Sequence, residues 1–172
     1  MLLCGLLPVP LVLAAASEPV ADPNQVKAAF IYNFTKYIHF PDGMMANEEG
    51  VFGVCARDPD TLGGYLGEMD NLITGELTIR VYQPVLEATE ISRLCQVWFV
   101  NSPELKEASA VLNTLEDLAV LTITDSSEPG VSGINIQLII RDNKVRFRID
   151  PANLARKELK GDAALLNLGL RD

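Results

Sequence analysis

Four apolar runs of strand length, Val51 to Ala56, Leu77 to Tyr82, Gln96 to Val100 and Val120 to Thr124, alternate along this chain with segments that carry helix-start signals. A run such as Val97-Trp98-Phe99-Val100 is apolar at successive positions, so both of its faces need cover. A strand followed by a helix and another strand returns as a right-handed parallel crossover, with the helix lying on the sheet. The expected fold is therefore a single α/β domain: a mainly parallel sheet flanked by helices, Rossmann-like in its layering.

The helices follow from their first residues. Asp58-Pro59-Asp60 predicts a helix ending near Met69, a second helical segment runs from about Val85 to Leu94, and Ser102-Pro103-Glu104 opens a third. In such starts Asp or Ser caps free amides, and Pro fills a first-turn position whose amide would have no partner. The same logic sets a helix at 23 to 39, capped by Asp22, begun by Pro23 and supported by Gln25 reaching back to the Asp22 amide. Val26, Ala29, Phe30, Phe34, Tyr37 and Ile38 supply its buried stripe, and Phe40-Pro41-Asp42-Gly43 stops it. Only the C-terminal third departs from the alternation. There Ile136 to Arg141 and Val145 to Ile149 flank Asp142-Asn143-Lys144, a polar link that predicts a β-hairpin at one side of the sheet. Asp150-Pro151 predicts a helix through about Lys160, and a short element at 163 to 170 closes a domain that spans 25 to 170 with no repeat or linker.

Residues 1 to 16 carry no charge and end in Ala14-Ala15-Ala16, which reads as a secretory signal peptide cleaved near Ala16, with 17 to 24 as an extension before the domain. The apolar stretch falls well short of the ~20 residues that span a bilayer, so no membrane insertion of the mature protein is expected. Cys4 has no apolar region before it, which argues against a lipid anchor. With 23 acidic and 14 basic residues the net charge is −9, and an acidic body repels phosphate backbones. The basic concentrations Arg141-Lys144-Arg146-Arg148 and Arg156-Lys157-Lys160 alternate with carboxylates or apolar residues and read as solvated faces, so no nucleic-acid partner is expected.

Catalytic and cofactor motifs fit poorly. Gly130-Val131-Ser132-Gly133-Ile134 lacks the last glycine of a nucleophile elbow, and Gly63-Gly64 lacks the other glycines of a dinucleotide loop. His39 is the single histidine and reads as a structural residue at a helix end, which leaves no multi-His metal site. Asp58 with Asp60, and Glu68 with Asp70, lack the ligand spacing of a calcium loop. Neither an enzyme, a cofactor nor a metal is expected. Trp98 reads as core. Along Val145 to Ile149 apolar residues alternate with Arg146 and Arg148, so one face of that strand is basic, and Arg156 and Lys157 on the next helix can approach it. These three arginines are the candidate partner- or ligand-binding residues, with exposed charges on an edge hairpin as the plainer reading. Cys55 and Cys95 remain as one pair after export, open to a structural bridge, to buried thiols or to a redox switch.

The stretch Val26-Lys27-Ala28-Ala29-Phe30-Ile31-Tyr32-Asn33-Phe34-Thr35-Lys36-Tyr37-Ile38-His39-Phe40-Pro41, with Asn143-Lys144-Val145-Arg146-Phe147-Arg148-Ile149-Asp150 near the end, resembles the YfiR/HmsC-like proteins of the Gram-negative periplasm. The resemblance covers roughly Gln25 to Leu170. It implies a disulfide between Cys55 and Cys95, and a protein that binds the periplasmic sensor domain of an inner-membrane diguanylate cyclase and represses cyclic-di-GMP synthesis and biofilm formation. Some relatives carry a second cysteine pair before the C-terminal hairpin, where this chain has Pro129 and Gln137. A homodimer is a further possible assembly. The alternatives to a regulator are a periplasmic small-ligand-binding module, using the cleft beyond the strand ends of an open α/β sheet, and a hydrolase.

Overall fold

A computed structural model describes residues 21–58 and 60–170; the signal peptide, Cys4, most of the N-terminal extension and Pro59 lie outside the described residues. In chain order the elements are α1 (Pro23–Tyr37), β1 (Ile38–His39), β2 (Phe52–Ala56), β3 (Ile73–Thr74), β4 (Leu77–Tyr82), α2 (Ala88–Leu94), β5 (Val97–Val100), α3 (Leu105–Thr114), β6 (Leu121–Thr124), β7 (Ile136–Arg141), β8 (Lys144–Ile149), α4 (Pro151–Arg156), β9 (Lys160–Gly161) and α5 (Ala163–Leu168).

The expected mainly parallel, Rossmann-like sheet gives way to a mixed one in the order β3-β4-β2-β5-β6-β7-β8, with β3 and β8 antiparallel at its two edges. Turn chemistry reverses the chain at both edges. Gly75 sits at φ +59° between β3 and β4, and Asp142 and Asn143 at +52° and +57° form the two-residue link that twists β7 onto β8. Between these edges β4, β2, β5, β6 and β7 run parallel. The connections from β2 to β4 and from β6 to β7 carry no α-helix, so Rossmann-like layering is not reproduced.

Other boundaries move for local reasons. The helix expected from Asp58 to Met69 is a series of turns ending in a 3-10 helix at Gly67–Met69, because Leu62, Gly63 and Gly64 take φ of +60°, +66° and +85°. Successive left-handed residues cannot continue a right-handed helix. α2 starts only at Ala88, after a turn in which the Glu87 amide bonds the Val85 carbonyl. α4 stops at Arg156, and Glu158 at φ +57° lets the Leu159 amide close on the Leu154 carbonyl (2.9 Å). α1 keeps its expected start, Asp22 accepting the Asn24 amide at 2.9 Å, but ends at Tyr37 because Ile38 and His39 pair antiparallel with Gly161 and Lys160.

The expected stripe of α1 is buried only in part, at Phe34 and Ile38. Ala28, Ile31 and Phe34 are buried together with Lys27 and Thr35, whereas Ala29 and Tyr37 are exposed and Val26 and Phe30 half-buried. Two polar partners on distant elements permit the burial of Lys27 and Thr35: Lys27 Nζ meets Asp125 Oδ2 at 2.9 Å, and the Thr35 hydroxyl donates to the Thr74 hydroxyl at 2.9 Å. Buried polar groups are tolerated when hydrogen-bonded.

The strands alternate between two cores. Phe52, Val54, Val97, Phe99, Leu121 and Ile123 face α1 and the C-terminal elements, while Cys55, Trp98 and Val100 face α2 and α3. Trp98 is core, as expected. Cys55 in β2 is bonded to Cys95 at the end of α2, with a Cα separation of 5.7 Å, so the bridge clips α2 onto the second face. Beside it β2 and α2 touch backbone to backbone: a Cβ at Gly53 would lie 1.7 Å from the Leu94 carbonyl oxygen.

Candidate partner-binding surface

β8 places its apolar residues against the core and its arginines on the other side. The three candidate arginines, two on β8 and Arg156 at the end of α4, enter three different surroundings. Arg146 is exposed and reaches the edge of a groove beside α1. Arg148 is half-buried and lines a cavity of 270 Å³ with Asn135, Gln137 and Asp150. Arg156 forms an ion pair with Glu116, in the link between α3 and β6. The neighbouring lysine departs most from the sequence reading: Lys157, expected on a solvated face, is 1% exposed. Its ammonium donates to the Val120 carbonyl at 2.9 Å and lies 3.4 Å from the Thr122 hydroxyl. Burial, with a smaller contribution from Arg156, pushes its pKa down to about 8.

The groove beside α1 consists of two adjoining hollows of 470 and 260 Å³ that share Phe30. Val26, Ile140 and Val145 line the first, with Lys144 and Arg146 at its rim. Tyr37, Phe147, Leu165 and Leu168 line the second. Leu168 is 75% exposed, Ile140 58% and Tyr37 45%. Phe30 and Phe34 meet Phe147 edge-on, with ring centroids 5.3 and 5.2 Å apart, and form the floor. Sequence periodicity places Val26, Phe30 and Tyr37 in the buried stripe, whereas the fold leaves Tyr37 exposed and Val26 and Phe30 half-buried.

The remaining polar candidates have structural partners. His39 Nε2 lies 2.7 Å from Asp162 Oδ1, across the β1–β9 pair. Asp58 accepts the Asp60 amide, and Asp70 accepts the Val81 amide. Gln137, in the neighbourhood where some relatives have a cysteine, donates its side-chain amide to the Ser126 and Glu128 carbonyls and so ties down the loop after β6. Just beyond the end of β6, Asp125 takes both Lys27 and the Ser102 amide (2.9 Å each). Among the described residues no cluster of three or more His, Cys, Asp or Glu could hold a metal ion, and no helix is long and apolar enough to cross a membrane.

No curated protein matches the chain. The sequence profile of the YfiR/HmsC-like family matches it over residues 24–169, from the first turn of α1 to the end of α5. Every element of the sheet and both cores fall inside that match, and the chain therefore belongs to the YfiR/HmsC-like family.

Proposed function

We propose that this protein is a periplasmic regulator that binds the sensor region of an inner-membrane diguanylate cyclase and restrains cyclic-di-GMP synthesis, and with it biofilm formation. The observation that carries the reading is the family match across the whole folded domain. The regulator works by preferring the inactive state of the sensor, since a bound protein moves a conformational equilibrium only by its differential affinity for the two states. The reading includes export, cleavage near Ala16, and no reaction catalysed by the protein itself.

A small-ligand-binding module is the second reading. It is favoured by a cavity of 570 Å³ lined by His39, Phe40, Asp42, Glu158 and Lys160. Against it, Asp125, just beyond the end of β6 on the side where open α/β sheets bind ligands, is already paired with Lys27.

The test is capture of membrane proteins by the exported protein, together with cyclic-di-GMP measured in cells with and without it. Recovery of an inner-membrane protein with a GGDEF output domain, and a rise in cyclic-di-GMP on deletion, are expected. An unchanged cyclic-di-GMP level on deletion rejects the reading. The stoichiometry of the captured complex reports on a homodimer.

A further inference from the structure

From the groove we infer a docking site for an amphipathic helix of a partner protein, apolar along one stripe and acidic beside it. This rests on the reading of the protein as a regulator that acts by docking, and adds the face and its chemistry.

α1 carries two apolar stripes and the fold buries one. Ala28, Ile31 and Phe34 enter the core, while Val26, Phe30 and Tyr37, at i, i+4 and i+11, look onto the groove. A helix stripe left open in this way is what a second helix covers by packing alongside. α1 has 15 residues, a length of about 22 Å, which suits an occupant of three to four turns. Ile140 and Leu168 stand on the far side as exposed apolar lips.

Charge selects the occupant. The protein has 23 acidic residues, yet among the described residues no carboxylate lines either hollow, and the rim carries Lys144 and Arg146. Asp22, next to the lining in sequence, is engaged as the α1 cap. A partner helix with Asp or Glu beside its apolar stripe meets these cations. A second copy does not, because a two-fold pair would set basic rims against a groove without acids. An anionic bilayer is repelled by the net charge of −9.

The test uses the full exported chain and two labelled model helices with the same leucine stripe, one flanked by glutamates and the other by lysines, followed by fluorescence anisotropy. The glutamate peptide should bind at least tenfold tighter. Ile140→Asp and Leu168→Asp should each weaken it at least tenfold with unchanged melting, because both side chains are exposed in the free protein. Arg146→Glu should erase the preference. Equal affinity for both peptides, or normal binding by both lip variants, overturns the site. Dimers that Ile140→Asp disperses, or vesicles of phosphatidylglycerol and phosphatidylethanolamine that compete with the peptide, overturn the occupant. If a diguanylate cyclase is captured equally by wild type and Ile140→Asp, the groove assignment falls and the regulator reading stands. If no cyclase is captured while the glutamate peptide still binds through the lips, the reverse holds.

Discussion

Lys157 allows a stability measurement whose sign and size follow from one buried ammonium. In the unfolded chain its pKa is the ordinary 10.5, whereas burial between α4 and the start of β6 lowers it to about 8 in the fold. A lowered folded pKa means that the unfolded state binds the proton more tightly, so stability rises with pH across the window between the two values. At 1.36 kcal/mol per pKa unit the full gain is about 3 kcal/mol, of which about 2 kcal/mol accrues between pH 7 and pH 9.5. Tyr82 is pushed up by burial and by its bond to Glu49, which keeps it out of this window. Wild type and Lys157→Met should be unfolded in urea at several values across that window. At pH 7 the variant loses the cost of the buried charge but leaves the Val120 carbonyl without its donor, an expense of about 1–3 kcal/mol, so the absolute difference is small. The informative quantity is the pH dependence: the wild type should gain about 2 kcal/mol relative to Lys157→Met by pH 9.5. A difference that stays constant from pH 7 to 9.5 would refute a depressed lysine pKa.

The Cys55–Cys95 bridge closes a loop with a sequence separation of 40. Replacing both cysteines with serine should cost about 4 kcal/mol in urea unfolding by the chain-entropy estimate, and an unchanged midpoint would remove that argument. Lys27→Met leaves the Asp125 carboxylate, whose side chain is 14% exposed, with the Ser102 amide but no counter-charge, and should cost about 3 kcal/mol; a double-mutant cycle with Asp125→Asn should show strong coupling, and additive losses would contradict a paired role. Gly53→Ala drives a methyl into the Leu94 carbonyl and should destabilise by more than about 3 kcal/mol, so a normally melting variant would mean that α2 shifts freely on β2. Arg156→Ala breaks an exposed pair with Glu116 and should change stability by less than about 1 kcal/mol, with a larger loss in thermal unfolding ruling out a surface role.

Where structure is dictated by adjacent residues, the sequence disclosed it. Asp22-Pro23 and Asp150-Pro151 cap and open α1 and α4, Ser102-Pro103 opens the 3-10 turn that leads into α3, and Asp142-Asn143 turns β7 onto β8. The same cap signal at Asp58 misled, because Leu62-Gly63-Gly64 takes left-handed angles a few residues later. What escaped depends on partners far along the chain. The inward face of α1 is fixed by Asp125, 98 residues from Lys27, and by Thr74, 39 residues from Thr35. Lys157 looked like a surface charge because its acceptor is the Val120 carbonyl, a backbone atom that side-chain patterning does not register. The arginine row was legible as alternation on β8, but the pairing of Arg156 with Glu116 was not. The groove was half legible: its apolar residues were visible as periodicity, whereas their exposure follows from the orientation that those distant contacts impose on α1.

The β1–β9 ribbon bears on how the chain comes together in time. It joins Ile38 to Gly161, and the His39–Asp162 contact beside it spans 123 positions. Synthesis proceeds from the N-terminus, so α1 emerges early and must wait for almost the entire chain before β9 can clasp its end. Closing so long a loop adds little free-energy cost, since each doubling of length adds about 0.6 kcal/mol, but non-local pairing of this kind is slow. Until Phe147, Leu154, Leu159 and Leu165 arrive, Ile31, Phe34 and Ile38 lack the neighbours that bury them. A chain truncated before Lys160 keeps all seven strands of the main sheet and lacks the clasp. Such a chain still carries Phe147, Leu154 and Leu159 but lacks Leu165 and the strand that pairs with Ile38, so the end of α1 is the part of the core that is completed last.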